Sequence, residues 1–110
     1  MIKKLLTITA LAMLLGSSGS YATIVSGNDL LKMCASDPTD ASCIGYIYGV
    51  YDRNFWDSEQ GYPICFPKGS DAEQMAKVVV KKLNDSPEIL HVNASVIVVG
   101  SLANAFPCPD

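Results

Sequence analysis

Four cysteines, Cys34, Cys43, Cys65 and Cys108, constrain the fold of this chain more than any other residues. In a short exported protein, four cysteines indicate two disulfide bonds, for which three connectivities are possible. A structural zinc site would need closely spaced cysteine pairs together with histidines. Here the closest pair has eight residues between its members, and the sequence has one histidine. We therefore predict two disulfides, no metal site and no cofactor.

The first 22 residues have the pattern of a cleavable signal peptide, which is consistent with disulfide formation. Lys3 and Lys4 precede an apolar run at residues 5–15, and small residues lead to a cleavage site after Ala22. The apolar run is about half of the ~20 residues that a membrane-spanning helix needs. A short anchor that is never removed is the alternative. The pattern predicts an exported, periplasmic protein.

Residues 23–110 then form a single domain. Six Lys and Arg residues against eleven Asp and Glu residues give this part a net charge of −5. Such a charge argues against nucleic acid or anionic lipid as the partner. A chain of this size buries about 60–65% of its unfolded surface, so we expect the disulfides to contribute much of its stability.

The positions of helix-capping and helix-breaking residues in the sequence predict four helices. The first covers about residues 28–36, with Asn28 or Ser26 as its N-cap. The second begins after Thr39 or Asp40 and runs to about Asp57. Its apolar positions have helical spacing and predict a face directed at the core, made of Cys43, Ile44, Ile47, Val50, Tyr51 and Phe55.

The third helix is predicted to start at Ser70, which forms a capping box with Glu73. The fourth is predicted from Ser86 as N-cap and Pro87 at the first position, and to run to about Phe106. Residues 96–99 are β-branched, so a strand is the alternative there. The fourth helix is apolar on two faces, which is typical of a central helix or of a dimer interface.

This arrangement predicts an all-α fold, a small bundle of two antiparallel helical hairpins. Cys34 ends the first helix and Cys43 begins the second, while Cys65 precedes the third and Cys108 follows the fourth. Antiparallel packing brings each of these pairs together. The preferred pairing is therefore Cys34–Cys43 and Cys65–Cys108.

Few residues suggest catalysis. His91 is the one histidine, and a Cys–His nucleophile would need a free thiol, which the disulfides remove. Gly45 and Gly49 are one turn apart in the second helix, which predicts close packing of another helix against a smooth face. That face continues towards Trp56 and could instead be a contact surface.

The end of the second helix and the loop after it contain exposed-type aromatic and acidic residues. Trp56, Asp57, Glu59 and Tyr62 have the composition of a protein-binding hot spot. The alternative is a loop folded back over the core, with Trp56 half-buried. We select these four residues as the candidate partner-binding surface.

Several segments together resemble the Rap/Tai family of type VI secretion amidase immunity proteins. They are CIGYIYGVYD at residues 43–52, ICFP at 64–67 and ANAFPC at 103–108, and the resemblance covers about residues 27–108. It implies a small helical periplasmic protein, often a homodimer, with no catalysis of its own. Such a protein binds and blocks a peptidoglycan amidase delivered by a neighbouring cell.

Two other functions remain open from the sequence. A periplasmic acid-stress chaperone is also small, helical and disulfide-bonded, and it would hold unfolded proteins at low pH. A structural or adaptor subunit is the other alternative. An enzyme is the least supported of the possibilities.

Overall fold

The computed structural model describes residues 24–57 and 61–110, and it is all-α, as predicted. The predicted signal peptide lies outside the described residues. The helices are α1 (Gly27–Cys34), α2 (Ala41–Trp56), α3 (Ala72–Asp85) and α4 (Ala94–Ala105), with a short 3-10 helix at Pro87–Ile89 before α4. In these residues, no helix is both long enough and apolar enough to span a bilayer.

Helix α1 starts with a complete capping box. The Ser26 hydroxyl accepts a hydrogen bond from the Asp29 N–H, and the Asp29 carboxylate accepts one from the Ser26 N–H. Ser26 is thus the N-cap, one of the two caps that the sequence allows. The reciprocal bonds satisfy two backbone N–H groups that would otherwise lack partners.

A second set of bonds ties the start of α1 to the chain just before α4. The Gly27 N–H donates to the Val92 carbonyl, and the Asn28 N–H donates to the Leu90 carbonyl, each at 2.9 Å. These are first-turn N–H groups, which have no partner inside their own helix. The backbone here is so close that a Cβ on Gly27 would lie 2.7 Å from Ile97 Cδ1 and 3.0 Å from the Leu90 backbone.

The prediction of one continuous helix from Pro87 to Phe106 is therefore wrong. In a continuous helix the Leu90 carbonyl would accept from the Ala94 N–H, but α1 uses that carbonyl. The Ala94 N–H instead donates to the Val25 carbonyl at 2.8 Å. The helix breaks after the 3-10 turn and restarts with Asn93 as N-cap. The strand alternative for residues 96–99 is also wrong, since they lie within α4.

The N-cap of α3 also differs from the prediction. Asp71 is the cap, and its carboxylate accepts from the Gln74 N–H at 2.8 Å. The Ser70 hydroxyl donates to the Pro67 carbonyl, so it forms part of the preceding turn. The predicted Ser70–Glu73 capping box is wrong because the neighbouring Asp71 carboxylate is the cap and accepts from the Gln74 N–H.

The core lies between the four helices and consists of aliphatic side chains, Met75, Phe106 and one disulfide. Phe55 is an exception to the predicted core face of α2, because its side chain is 62% exposed. It lies in the last turn of the longest helix, where Arg53 and Trp56 are exposed too. The largest fully buried side chains are Leu30, Ile47, Leu83, Leu102, Val79, Val98, Cys34 and Cys43.

The two disulfides join Cys34 to Cys43 and Cys65 to Cys108, which is the pairing that the sequence analysis prefers. The first lies in the core between the end of α1 and the start of α2. The second is nearer the surface, with Cys65 exposed and Cys108 half-buried. It fixes the loop before α3 to the chain after α4, and the Cys65 N–H also donates to the Phe106 carbonyl. Each helical hairpin thus has one disulfide at its end.

Replacing Gly27 with alanine should destabilise the domain by about 1–3 kcal/mol, because the added methyl group would crowd the Leu90 backbone and force the Ile97 side chain to move. Gly45→Ala is the matched control. A Cβ at that helical position meets nothing within 4 Å, so alanine should stabilise by about 0.5–1 kcal/mol. Urea unfolding at low protein concentration measures both. Equal effects of the two substitutions would contradict the close approach at Gly27.

Stability should fall at acidic pH because three exposed carboxylates form caps or turns. Hydrogen bonds hold the pKa of each below its usual value of 3.8: from the Ser26 N–H for Asp29, from the Thr39 N–H for Asp37 and from the Ser42 hydroxyl for Asp40. A carboxylate with a lowered folded-state pKa stabilises fully above its unfolded pKa. That contribution is lost as the pH falls through the folded value.

We therefore expect a lower Tm at about pH 2.5 than at about pH 5, and a smaller difference in Asp29→Asn, since asparagine accepts a hydrogen bond without titrating. Thermal unfolding followed by circular dichroism measures this difference. Asp52→Asn, at an exposed position in the middle of α2, is the control. If Asp29→Asn and Asp52→Asn have the same pH dependence, the caps do not cause it.

Candidate protein-binding surface

Three aromatic side chains are exposed where α2 ends. Trp56 is 75% exposed, Tyr62 is 66% exposed and Phe55 is 62% exposed. Phe55 and Trp56 form an edge-to-face pair with ring centroids 5.2 Å apart. We call these three residues the aromatic end. The alternative of a half-buried Trp56 is not observed.

The other two predicted residues have different outcomes. Asp57 is half-buried and caps the C-terminus of α2, where its N–H donates to the Asn54 carbonyl. Glu59 lies outside the described residues. The structure thus brings Trp56, Asp57 and Tyr62 into one region, and it adds Phe55, which the sequence pattern had assigned to the core.

Ring contacts connect the aromatic end to the core. The ring centroids of Phe55 and Tyr51 are 6.3 Å apart. Tyr51 also makes an edge-to-face contact with Phe66, with ring centroids 5.0 Å apart. Phe66 in turn lies 4.7 Å from Phe106, which is buried. Aromatic pairs at such distances contribute about 0.5–1.5 kcal/mol beyond their buried area. The exposed Phe55 and Trp56 rings are therefore connected to the core through Tyr51 and Phe66.

Asn54 holds the loop after α2. Its side-chain N–H donates to the Tyr62 carbonyl, and its side-chain oxygen accepts from the Tyr62 N–H, both at 2.8 Å. The Gly61 N–H donates to the Asp57 carbonyl at 2.9 Å. The role of Asn54 is not predictable from the sequence, since no spacing rule links it to a residue eight positions later.

A groove runs beside the aromatic end, between α2 and α4. Its volume is about 1020 Å³. We call it the glycine groove, because Gly45 and Gly49 of α2 and Gly100 of α4 line it together with Val96 and Val99. Tyr62 is at its end. A Cβ on any of the three glycines would meet nothing within 4 Å.

The glycine groove changes the interpretation of Gly45 and Gly49. We predicted that another helix packs closely against them, but no described part of this chain does so. Helix α4 lies alongside and leaves the groove open, with Val96 60% exposed. The part of the second apolar face of α4 around Val96 is thus left uncovered by the described residues.

The middle of the groove is uncharged. Tyr46 contributes to its lining, and partial burial raises the pKa of this phenol, so it stays neutral at physiological pH. Arg53 and Asp57 lie at the end near Tyr62. An apolar middle with charges at one end is typical of protein-binding surfaces.

His91 is exposed and lies apart from the aromatic end and the groove. Every cysteine is in a disulfide, so no thiol can pair with it in a nucleophilic site. In residues 24–57 and 61–110, no three His, Cys, Asp or Glu side chains are grouped as a metal would require.

A disulfide-bonded helical bundle with an exposed aromatic end and an open apolar groove has the features of a small protein-binding domain. The family model for Rap1a immunity proteins matches residues 26–108, so the chain belongs to that family. The match includes all four helices and both disulfides. It identifies an immunity protein, a class that binds a secreted protein effector and is generally not enzymatic. No curated protein and no solved structure matches this chain.

Proposed function

We propose that this protein is exported to the periplasm, where it binds and inhibits a peptidoglycan amidase delivered by type VI secretion. Family membership supports the immunity role. The signal-like pattern of residues 1–22 supports export, and the periplasm is where peptidoglycan is attacked. The observation that carries the proposal is the aromatic end, which exposes the large side chains of Phe55, Trp56 and Tyr62.

The aromatic end has the properties of a binding hot spot. Tryptophan and tyrosine dominate such spots because they bury much apolar area at a low cost in side-chain entropy. Trp56 and Tyr62 have little cover from the described chain, so a partner would remove most of their exposed surface from water. Asp57 would form a charged rim beside them, and we propose Glu59, which lies outside the described residues, as a further acidic contact to the partner.

The inhibition we propose is steric. Amidases of this class resemble Cys–His hydrolases, whose cleft must admit a peptide stem. A rigid aromatic surface that covers the cleft excludes the substrate without any chemical step. The net charge of −5 for residues 23–110 accelerates association with an amidase of opposite charge.

The decisive experiment is capture followed by inhibition. The protein is expressed with its own N-terminus, purified from the periplasm and exposed to the periplasm of cells challenged by a type VI competitor. We expect mature protein beginning at Thr23, a captured amidase, and loss of that amidase's cleavage of purified peptidoglycan. Capture of a protein whose peptidoglycan cleavage is unaffected would contradict the proposal, as would protection of acid-unfolded proteins in place of amidase binding.

Trp56→Ala should weaken binding of the captured amidase by at least tenfold, since truncating a hot-spot aromatic costs about 2 kcal/mol or more. Tyr48→Ala is the matched control, because Tyr48 is an exposed aromatic two turns earlier on α2. We expect it to leave the affinity nearly unchanged. Titration calorimetry with both variants gives the comparison. Unchanged affinity in a folded Trp56→Ala protein would show that the aromatic end is not the binding surface.

The proposal includes a homodimer formed through the glycine groove. A two-fold contact needs a surface that is complementary to itself. The groove has both a protruding side chain, Val96, and an open floor beside it, which is the uncovered surface of Gly45 and Gly49. Val96 of each copy would then fill the floor of the other. The sequence agrees, since a helix with two apolar faces usually buries both.

Val96→Asp should convert the dimer to a monomer, because two carboxylates would be buried in an apolar contact. Light scattering coupled to size-exclusion chromatography measures the mass. Ile24→Asp is the control, because Ile24 is an exposed aliphatic residue that does not line the groove. A wild-type monomer at high concentration, or a dimer that survives Val96→Asp, would exclude this interface.

A further inference from the structure

We propose that Asn54 is a positioning residue, which holds Tyr62 against the last turn of α2 so that the binding surface exists before the partner arrives. This inference rests on the proposed function, because it gives the aromatic end its role in recognition. Asn54 contacts its own helical bundle, and we infer that it affects the partner only through Tyr62. Its basis is the pair of hydrogen bonds between the Asn54 side chain and the Tyr62 backbone.

The asparagine amide imitates a peptide group of a neighbouring strand. It donates to the Tyr62 carbonyl and accepts from the Tyr62 N–H, both at 2.8 Å. An amide on a short side chain supplies both functions at once. Aspartate would keep the acceptor and lose the donor. Alanine would lose both.

Gly61 shows how closely the loop returns to α2. A Cβ at this position would overlap the carbonyl oxygens of Asn54 and Asp57. The Gly61 N–H donates to the Asp57 carbonyl, so the backbone itself closes the turn. Asn54 then fixes the next residue, Tyr62. These bonds thus hold two consecutive residues, Gly61 and Tyr62, against the end of α2.

The rest of the fold does not depend on the two hydrogen bonds between the Asn54 side chain and the Tyr62 backbone, which we call the clasp. Three residues after Tyr62, Cys65 is joined to Cys108, and its N–H donates to the Phe106 carbonyl. The loop therefore stays attached when the Asn54 side chain is removed. Losing the clasp should free Tyr62 while the bundle remains folded.

A freed Tyr62 would have to be ordered again on binding. Fixing one residue's backbone costs enough to weaken an affinity by roughly tenfold. A preformed loop avoids that cost, which is the general advantage of preorganisation. The position of Tyr62 thus affects affinity even though Asn54 makes no contact with the partner.

The first test measures local order in Asn54→Ala. Amide hydrogen exchange of Tyr62 should become at least tenfold faster, because its N–H loses the acceptor. Trp56 is the sole tryptophan, so its fluorescence anisotropy reports on the aromatic end and should decrease. Asn54→Asp should retain part of the protection of the Tyr62 N–H, since it keeps the acceptor. Unchanged exchange in Asn54→Ala would overturn the clasp.

Asn84→Ala and Asn104→Ala are matched controls. Each replaces an exposed asparagine near the end of a helix, α3 or α4, and so makes the same change in helix propensity. Neither should alter Tyr62 exchange or Trp56 anisotropy. If either control alters both as much as Asn54→Ala does, a general effect of the substitution explains the result and the proposal fails.

The second test measures affinity for the amidase captured above. Asn54→Ala should bind about tenfold more weakly and Asn84→Ala equally well. If Trp56→Ala weakens binding and Asn54→Ala does not, the binding surface stands and the positioning role is rejected. If neither variant weakens binding, the proposed surface itself fails. If no amidase is captured, recognition fails with the proposed function, and Tyr62 exchange still decides whether the clasp orders the loop.

Discussion

The backbone bonds between residues 25–28 and residues 90–94 determine much of this structure. They satisfy the free N–H groups of α1 with the carbonyls of Leu90 and Val92, and they take from the last helix the bonds that would have extended it backwards. Helix α4 consequently begins at Ala94. The same contacts favour glycine at position 27, because a Cβ there would lie only 3.0 Å from the Leu90 backbone and would displace the end of the Ile97 side chain.

The position of α4 then determines which surfaces stay open. Its buried face carries Ile97, Val98 and Leu102 against the core, and the face with Val96 is left beside the glycines of α2. Helix α2 in turn is longer than its neighbours, so its last turn carries Phe55 and Trp56 into solvent. A small core thus leaves two apolar surfaces on one molecule, one that we propose for a second copy of the chain and one that we propose for the effector.

Local signals predicted the features that depend on local chemistry. The caps at Ser26 and Asp40 and the disulfide pairing follow from residue types close to helix ends. The signals failed where two neighbours compete, as at Ser70 and Asp71, or where a distant segment intervenes, as at Leu90. Phe55 has the spacing of a core residue, but spacing does not reveal where the other helices end. The Asn54 clasp was invisible for a similar reason, because it joins a side chain to backbone across a loop.

The backbone pairing of residues 25–28 with residues 90–94 has a consequence for the order of folding. An eight-residue helix such as α1 is too short to persist by itself. Its start is completed only by residues near the opposite end of the chain, and the Cys65–Cys108 bond also waits for the last residues. Most of the chain must therefore be made before its first helix is secure. For the export that we propose, late completion of this kind would keep the polypeptide loose enough to pass through a narrow membrane channel.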